Sequence, residues 1–290
     1  MNINTIKNLT SEFKSIFLGS KYDVNVLSFY TKNYGDYYNQ IIINRILNKK
    51  VHIVDINLYN RLYLDKFVYS NKELICGIGS ILHYADENCV VWGTGSIWYD
   101  SVPKSKPKEI LGVRGKLTHK NLENKGFLSP EIFGDPGLLV KKYSDNSLSK
   151  KTKKYKLGIV PHHAERGLKL FDEFRKNKDI LVLDIEDVDN FLQDLTSCEM
   201  IASSSLHGLI FSDSFGIPNV WLSFSDLIHG QHFKYHDYYS SIYNSSVDNL
   251  APLKINSVDQ LSKIISSTSL KAIDLDVEKI EKVLLDYYNE

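Results

Sequence analysis

The stretch MIASSSLHGLIFSDSFGIPNVWLSF, residues 200–224, contains a short apolar run, then a helical pattern, then a second short apolar run. Short apolar runs bounded by turn residues predict buried strands, and the segment between them has the length of a helix. A strand, a helix and a strand in this order predict two parallel strands with a helix packed on their sheet. This part of the chain is therefore predicted to have an α/β fold.

The same alternation extends over most of the 290 residues, on both sides of a lysine- and serine-rich segment at 141–156. Two such series predict an α/β protein with two doubly wound domains, residues 1–145 and 146–290, that face a central cleft. The segment between the series is predicted to be a solvated linker, although its lysines would also suit anionic lipid headgroups. Strands are predicted at 24–29, 51–56, 73–78, 89–93, 110–113, 156–160, 179–185, 200–205 and 218–224, and helices at 37–48, 116–125, 165–177, 188–198, 206–215, 257–268 and 275–288.

The composition argues against several classes of protein. Charged residues make up 24% and the formal net charge is zero, so no long-range field would recruit nucleic acid. The three cysteines, Cys76, Cys89 and Cys198, have neither metal-ligand nor disulfide spacing, which favours a reducing compartment. The first residues are amphipathic, and no apolar stretch has the length of a membrane span. We expect a cytoplasmic protein with at most peripheral contact to the inner face of the membrane.

In open parallel sheets, ligands bind outside the carboxyl ends of the strands, so residues that directly follow a strand are candidates for the site. In the first half these are Asn33 and Asp36, which would be polar ligands or a base, or simply a capped helix start. The loops GIGS (77–80) and GTGS (93–96) would let backbone amides approach an anion or a sugar. Neither loop has the full dinucleotide fingerprint, and the chain has no P-loop.

Arg114 would stand at the end of the fifth strand, just before a helix begins. A guanidinium beside unpaired helix amides suits a phosphate or a carboxylate, but a surface arginine at a strand end is an equally simple interpretation. Trp92, Trp98 and Tyr99 lie next to the GTGS loop. They would stack on a sugar or belong to the core.

The second half repeats this pattern with histidines. His162 and His163 in PHHAER (161–166) follow its first strand, where they would bind an anion, hydrogen-bond a sugar or transfer a proton, or form an ordinary capping loop. His207 begins the helix that follows SSS (203–205), and this junction of strand and helix would line the cleft.

A third group of histidines, His229, His232 and His236, has helical spacing and could bind zinc. No aspartate, glutamate or cysteine is arranged to complete such a site, so a chance surface cluster and no metal are predicted. Lys234 in the same segment would instead contact a phosphate or the acceptor.

Taken together, these segments resemble the polysaccharide pyruvyl transferase family, in the right order from Asn33 to Tyr239. The elements are NYGD (33–36), GTGS (93–96), VRGKLT (113–118), GDPGLLV (134–140), PHHAE (161–165) and SSSLHGLIFSDSFGIP (203–218), of which the last two are the most diagnostic. The resemblance implies two Rossmann-like domains around a cleft, as in the GT-B glycosyltransferases, with the acceptor on the first domain and the donor on the second.

It also implies the reaction. The donor would be phosphoenolpyruvate, with no further cofactor, and the product a pyruvate ketal across two hydroxyls of a sugar. The acceptor would be a glycan of a capsule or exopolysaccharide, or its possibly lipid-linked precursor.

The resemblance assigns roles to individual residues. The family's Leu-His pair matches Leu206 and His207, which makes His207 the general acid, and its arginine matches Arg114. Its early aspartate matches Asp36, a candidate base together with the paired histidines. Many members carry arginine where this chain has Ser205, so other side chains would contact the phosphate. The predicted site comprises catalytic His207 and Asp36; donor-binding Arg114, His162, His163, Arg166, Ser205, Leu206, Gly208 and Lys234; and acceptor-binding Asn33, Gly95, Ser96 and Trp98.

Two other functions stay open at this point. A sugar-nucleotide-dependent GT-B glycosyltransferase is suggested by Glu165 and Glu173, which have a Glu-x7-Glu spacing but also suit solvated helix positions. Asp187 and Asp189 have the DxD spacing of metal-dependent transferases, or form an acidic helix start. The third possibility is a carbohydrate-binding protein without catalysis, with aromatic side chains as platforms for the sugar.

Overall fold

The computed structural model describes residues 22–29, 34–61, 72–148, 152–228, 232–243 and 245–289. These residues form a mixed α/β structure with two five-stranded sheets, in which the strands of each sheet are parallel. Asn33 and His229, which the sequence analysis singled out, lie outside the described residues, as do Lys150 and Lys151 of the predicted linker.

The first sheet contains the strands β1–β5 in the order β2-β1-β3-β4-β5. Its central strands are short and apolar, and their side chains are buried on both faces, as is usual for a parallel sheet covered by helices. The strands are β1 (Val24–Ser28), β2 (Val51–Asp55), β3 (Leu74–Cys76), β4 (Cys89–Trp92) and β5 (Glu109–Gly112), and the helices of this half are α1 (Tyr34–Leu47), α2 (Ile56–Arg61) and α3 (Lys116–Asn124).

The second sheet contains the strands β6–β10 in the order β10-β9-β8-β6-β7. Its strands are β6 (Tyr155–Val160), β7 (Ile180–Val182), β8 (Cys198–Ser203), β9 (Asn219–Ser223) and β10 (Leu253–Lys254). The helices that follow along the chain are α4 (Leu170–Arg175), α5 (Phe191–Thr196), α6 (Leu206–Phe215), α7 (Phe233–Ile242), α8 (Leu261–Ser267) and α9 (Val277–Asn289).

Both sheets have the same strand order, in which the first strand lies between the second and the third. In such a sheet the chain connections diverge on either side of the first strand, which opens a crevice at the carboxyl ends of the first and third strands. In the second sheet these are β6 and β8, paired from Tyr155↔Cys198 to Val160↔Ser203. The loops that carry His162 and His207 therefore begin at neighbouring strand ends.

Helix α6 has the bounds that the sequence predicts, 206–215. Ser205 is extended, with φ −95° and ψ 133°, and the helix ends at Gly216, whose φ of 68° is costly for other residues. The helix is apolar nearly all round and is therefore buried. It packs against β8 on one side and against a 3₁₀ turn at Pro136–Leu139 on the other.

Other elements differ from the prediction. The helix predicted at 165–177 begins only at Leu170, because residues 163–167 form turns in which the Glu165 amide donates to the His162 carbonyl at 2.8 Å. The helix predicted at 188–198 spans only α5, because β8 already begins at Cys198. The sequence analysis missed α2, α7 and β10.

The helix α9 follows the second sheet along the chain but packs against the first half, in contact with α1 and β5. The Trp92 indole donates a hydrogen bond to the Ile280 carbonyl at 2.6 Å. The Tyr287 and Tyr288 hydroxyls donate to the Glu73 carboxylate at 2.7 and 2.6 Å. The division into domains at 145 and 146, the open cleft and the GT-B likeness stay predictions.

Within the described ranges, every helix is either too short or too polar to cross a membrane.

Replacing Trp92 by phenylalanine removes the hydrogen bond to α9 and leaves unfilled volume. We expect Trp92→Phe to lower the free energy of unfolding by about 1–3 kcal/mol in urea titrations. Trp98 is 43% exposed, so Trp98→Phe is a matched control that should change stability by less than about 0.5 kcal/mol. Equal losses in the two variants would contradict a stabilising role for the bond to α9.

Candidate active site

Helix starts and loops of the first half contact those of the second half around His207. Gly35, in the first turn of α1, lies against the His207 ring so closely that a Cβ at this position would be 2.3 Å from Nδ1. The hydroxyls of Tyr34 and Ser205 share a buried hydrogen bond of 2.6 Å. We use the term junction for the residues that connect the two halves in this region, namely Tyr34, Gly35, Arg114, Ser205, His207 and Asp237.

Arg114 and Asp237 form an ion pair in which both side chains are fully buried. The Arg114 Nε donates to Asp237 Oδ2 at 2.9 Å, and the two terminal nitrogens donate to the Ser80 hydroxyl and the Ser96 carbonyl, each at 2.7 Å. The Asp237 carboxylate also accepts from the amide and the hydroxyl of Thr118, at 2.7 Å each. Because both charges have several partners, the cost of their burial is largely offset. A surface arginine at this position is excluded.

The GTGS loop holds the guanidinium of Arg114. A Cβ on Gly95 would be 2.4 Å from Arg114 Cζ, so only glycine allows the guanidinium to lie against this loop. The Ser96 amide donates to the Thr118 hydroxyl at 2.9 Å, and the Ser96 hydroxyl donates to the Ser101 carbonyl at 2.7 Å. The predicted acceptor contacts of Gly95 and Ser96 stay predictions.

His207 is partly buried, and its Nε2 is buried without a hydrogen-bond partner among the described residues. Burial, followed by the positive charges of Lys234 and Arg114, lowers the pKa of His207 from 6.5 to about 3. The imidazole is therefore neutral near pH 7. An anion bound near Nε2 would offset the two positive charges and raise the pKa of His207.

Lys234 is buried, and its Nζ lies 3.1 Å from His162 Nε2. Burial, followed by the charge of Arg114, lowers the pKa of Lys234 from 10.5 to about 7, against the opposite effect of Glu165. His162 is itself fixed, because its amide donates to the Ser204 hydroxyl at 2.9 Å. The two most diagnostic motifs, PHHAE and the segment that contains Ser204 and His207, thus meet through this hydrogen bond, and the His162 ring connects them to Lys234 in α7.

Glu165 contradicts the interpretation as a solvated helix position. It is fully buried and lies in a turn, where Oε1 accepts from the Phe224 amide at 3.2 Å and from the Ser225 hydroxyl at 2.7 Å. Its Oε2 is buried without a partner within the described part of the chain. Glu173, in contrast, is exposed and pairs with Lys176 at 2.7 Å, as a solvated helix position would.

Asp135 is a second buried carboxyl group close to Arg114. Its Oδ1 accepts from the Gly137 amide at 2.8 Å, which caps the 3₁₀ turn that packs on α6. Its Oδ2 lacks a partner in the described ranges, and burial raises the pKa of Asp135 to about 7. Within the segment GDPGLLV (134–140), Asp135 therefore has the role of a turn cap.

Two further candidates, Asp36 and His163, lie next to residues already described. Asp36, in the first turn of α1 next to Gly35, accepts from the Ser28 hydroxyl at 3.3 Å. His163 is exposed, with its ring 4.2 Å from that of His162.

Arg166, predicted to contact the donor, is exposed and forms an ion pair with Glu186.

The remaining predicted residues pack or are exposed. Leu206 and Gly208 are buried, and a Cβ on Gly208 would be 2.3 Å from the Ser203 hydroxyl. Trp98 is exposed, and Tyr99, which is 58% exposed, contacts the ring of Phe233 at 4.8 Å, beside Lys234.

The zinc interpretation gains no support from the histidines that are described. His236 Nε2 lies 2.7 Å from the Leu250 carbonyl, and the rings of His232 and His236 are 6.1 Å apart. Among the residues with described positions, no cluster of three or more His, Cys, Asp or Glu could hold a metal ion.

Comparison with known proteins identifies the family. A model of the family described as polysaccharide pyruvyl transferase matches residues 17–226. The chain belongs to the polysaccharide pyruvyl transferase family. An uncharacterised protein of Acanthamoeba polyphaga mimivirus is 31% identical over 215 residues, which are 72% of this chain and 70% of that protein.

Among solved structures, the crystal structure of Methanocaldococcus jannaschii UDP-GlcNAc 2-epimerase in complex with UDP-GlcNAc and UDP is similar to this polysaccharide pyruvyl transferase family member. The alignment covers 92% of this chain and 99% of the epimerase, with 12% identity and a TM-score of 0.47.

The sequence analysis missed Asp237 as a residue of the site. Asp237 lies in α7, which does not directly follow a strand, and it is 123 positions from its partner Arg114. One signal was present in the sequence: a single aspartate stands within the aromatic stretch FKYHDYY, where an unpaired charge would be costly.

Replacing one member of the buried ion pair should destabilise the protein strongly. Asp237→Asn leaves the Arg114 charge uncompensated, and we expect the free energy of unfolding to fall by about 3–5 kcal/mol in urea. The matched control is Asp172→Asn, which breaks the exposed Arg175–Asp172 pair and should cost at most about 1 kcal/mol. Similar losses in both variants would contradict a special role for the buried pair.

The low pKa of His207 also predicts a pH dependence of stability. Below about pH 6.5 the unfolded chain binds a proton that the folded His207 does not, so stability falls as the pH falls towards 3. Between pH 7 and pH 5 we expect this group to contribute about 1–2 kcal/mol of lost stability. Urea titrations of His207→Gln should show a correspondingly shallower pH dependence, and an unchanged slope would refute the neutral state.

Proposed function

We propose that this chain transfers the pyruvyl group of phosphoenolpyruvate to a sugar, with formation of a pyruvate ketal and release of phosphate. One observation carries the proposal: the buried Nε2 of His207 has no hydrogen-bond partner among the described residues, and Lys234 and Arg114 are close enough for their charges to lower the pKa of His207. An anion bound there would accept a hydrogen bond from Nε2 and offset the two positive charges. Membership of the polysaccharide pyruvyl transferase family supports pyruvyl transfer to a polysaccharide.

The chemistry of phosphoenolpyruvate fits these residues. The donor carries a phosphate and a carboxylate, and the basic side chains at the junction, together with the amino end of α6, would attract both. Ser205 stands where many members carry arginine, and its hydroxyl shares a hydrogen bond with that of Tyr34. Lys234 would therefore supply the positive charge that arginine contributes in those members.

His207 would then act as the general acid. It is neutral without the donor, but the negative charge of the donor would raise its pKa, so that it takes up a proton and delivers it to the methylene carbon. The central carbon accepts one sugar hydroxyl, phosphate leaves, and a second hydroxyl closes the ketal. Of the two hydroxyl protons, one replaces the proton spent on the new methyl group and the other balances the proton that leaves with the phosphate.

The acceptor would bind beside the amino end of α7. Trp98 and Tyr99 are exposed there, and aromatic faces are good platforms for sugar rings. The acceptor would be a capsule or exopolysaccharide glycan or its lipid-linked precursor, reached from the cytoplasm, and Asp36 or the paired histidines would take the first hydroxyl proton. We propose no metal and no further cofactor for this reaction.

The proposal is tested by incubating the purified protein with phosphoenolpyruvate and a panel of galactosides, glucosides and N-acetylhexosaminides. We expect one acceptor to gain the mass of pyruvic acid minus water, with one phosphate released per product. Reaction of the same acceptors with nucleotide sugars, and not with phosphoenolpyruvate, would instead establish the glycosyltransferase alternative. Sugar binding without any reaction would favour the carbohydrate-binding alternative.

With the reactive acceptor, His207→Gln should lower kcat by about 10²–10⁴-fold, the usual contribution of a general acid. The control is His52→Gln, because His52 in the edge strand β2 also has a buried Nε2 without a partner in the described part of the chain, and its pKa is lowered by burial. His52→Gln should retain nearly normal turnover. Near-normal turnover of His207→Gln would remove His207 from the mechanism.

A further inference from the structure

Lys234 is a buried lysine without an acidic partner. It is only 9% exposed, and no carboxylate of the described residues lies within ion-pairing distance of its Nζ. A buried ammonium group without a counter-charge is unstable, and such groups tend to lose their proton. Lys271, whose side chain is also only 9% exposed, has such a partner, because its Nζ lies 3.6 Å from Asp213.

The hydrogen bonds of His162 give independent evidence on the proton of Lys234. The Ala164 amide donates to His162 Nδ1 at 3.3 Å, so in the neutral ring the hydrogen is on Nε2. That Nε2–H faces Lys234 Nζ at 3.1 Å. An ammonium group has no lone pair and cannot accept this hydrogen bond, whereas an amine can. The geometry therefore favours a neutral Lys234 as long as no donor is bound.

The surroundings of Lys234 would change its state when an anion arrives. Arg114 opposes a positive charge on Lys234, and Glu165 favours one but does not contact it. The two rings next to Nζ, that of His162 and that of Tyr235 at 5.3 Å, supply no negative charge. A phosphate close to Nζ would thus be the main negative charge available to stabilise an ammonium group.

The departing group in the proposed reaction needs a proton. Phosphate leaves far more easily as the protonated ion than as the trianion, and the acid that supplies its proton should have a pKa near the working pH. An ordinary lysine holds its proton too tightly for this task. A lysine that is neutral before donor binding and protonated afterwards is suited to it.

We propose that Lys234 is the acid that protonates the leaving phosphate. Lys234 takes up this proton when the anionic donor binds. Between turnovers its side chain is the uncharged amine, which accepts a hydrogen bond from the His162 Nε2–H. In each cycle the proton passes from Lys234 Nζ to the phosphate oxygen as the carbon–oxygen bond breaks. The second sugar hydroxyl releases its proton to solvent when the ketal closes, which balances the proton that Lys234 takes up on donor binding. The lone pair of the amine then accepts the His162 Nε2–H again. The inference rests on the proposed function and assigns the second proton of that reaction.

The first test measures protons rather than turnover. Phosphoenolpyruvate is titrated into the protein by calorimetry at pH 8 in several buffers of different ionisation enthalpy, which gives the number of protons taken up on binding. Lys234→Arg, which keeps a permanent positive charge, should bind the donor with about one proton fewer than the wild type. The control Lys271→Arg should match the wild type.

The second test measures turnover of the same variants. Lys234→Arg should keep the KM for phosphoenolpyruvate within a few-fold of the wild type but lose about 10²–10⁴-fold in kcat, because arginine does not release its proton. In a Lys234→Cys variant alkylated with bromoethylamine, the restored amine is more acidic than lysine. The alkaline limb of its kcat profile should therefore move to lower pH. The wild-type protein, whose cysteines Cys76, Cys89 and Cys198 are all buried, is treated in parallel as the control for alkylation at other positions.

The outcomes separate the two proposals. Proton uptake that is unchanged in Lys234→Arg, or a normal kcat with that variant, would overturn the role of Lys234 as an acid and leave it a permanent phosphate-binding cation. Failure of the wild-type protein to bind phosphoenolpyruvate would overturn the proposed function itself. In that case, titration of the Lys234 side chain in ¹³C-lysine-labelled protein, assigned with Lys234→Arg, would still decide whether the amine is neutral near pH 8.

Discussion

The buried ion pair between Arg114 and Asp237 is the interaction on which the arrangement of the junction depends. It joins the loop after β5 to α7, and α7 packs against α3 of the first half. Gly115, next to Arg114, lies so close to the backbone of Asp237 that a Cβ would be 1.8 Å from its carbonyl oxygen. The two halves therefore meet without intervening side chains, and this contact fixes the position of Lys234 one turn earlier in α7.

The same ion pair influences the chemistry of the site. Asp237 neutralises Arg114 at short range, but the guanidinium still acts on His207 and Lys234, whose pKa values are both lowered. Buried acids and bases at the junction thus have unusual proton affinities, and Asp135 is a further example. A region of this kind changes its protonation when a charged ligand binds, which is a common property of catalytic sites.

The elements that the sequence predicted are those with strong local signals. The bounds of α6 were predicted from the serines that precede the helical pattern and the apolar strand pattern that follows it. In the structure Ser205 is extended and Gly216 is left-handed, and these two residues mark the ends of the helix. In α7 all ten residues are buried, so there is no polar face and no amphipathic pattern to recognise. Among site residues, His162, Arg114 and His207 were found because they follow strands, whereas Asp237 depends on packing between distant segments. The charge state of Lys234 depends on burial, which residue type alone does not reveal.

The return of α9 to the first half affects the order of events during synthesis. Trp92 and Ile280, which are hydrogen-bonded in the native structure, are 188 positions apart. At ribosomal rates of 5–20 residues per second, about 10–40 s pass between the synthesis of β4 and that of its cover. During this interval the apolar face beneath α9 is exposed to water in the nascent chain. The first sheet is therefore the part of the protein for which a chaperone on the ribosome would matter most.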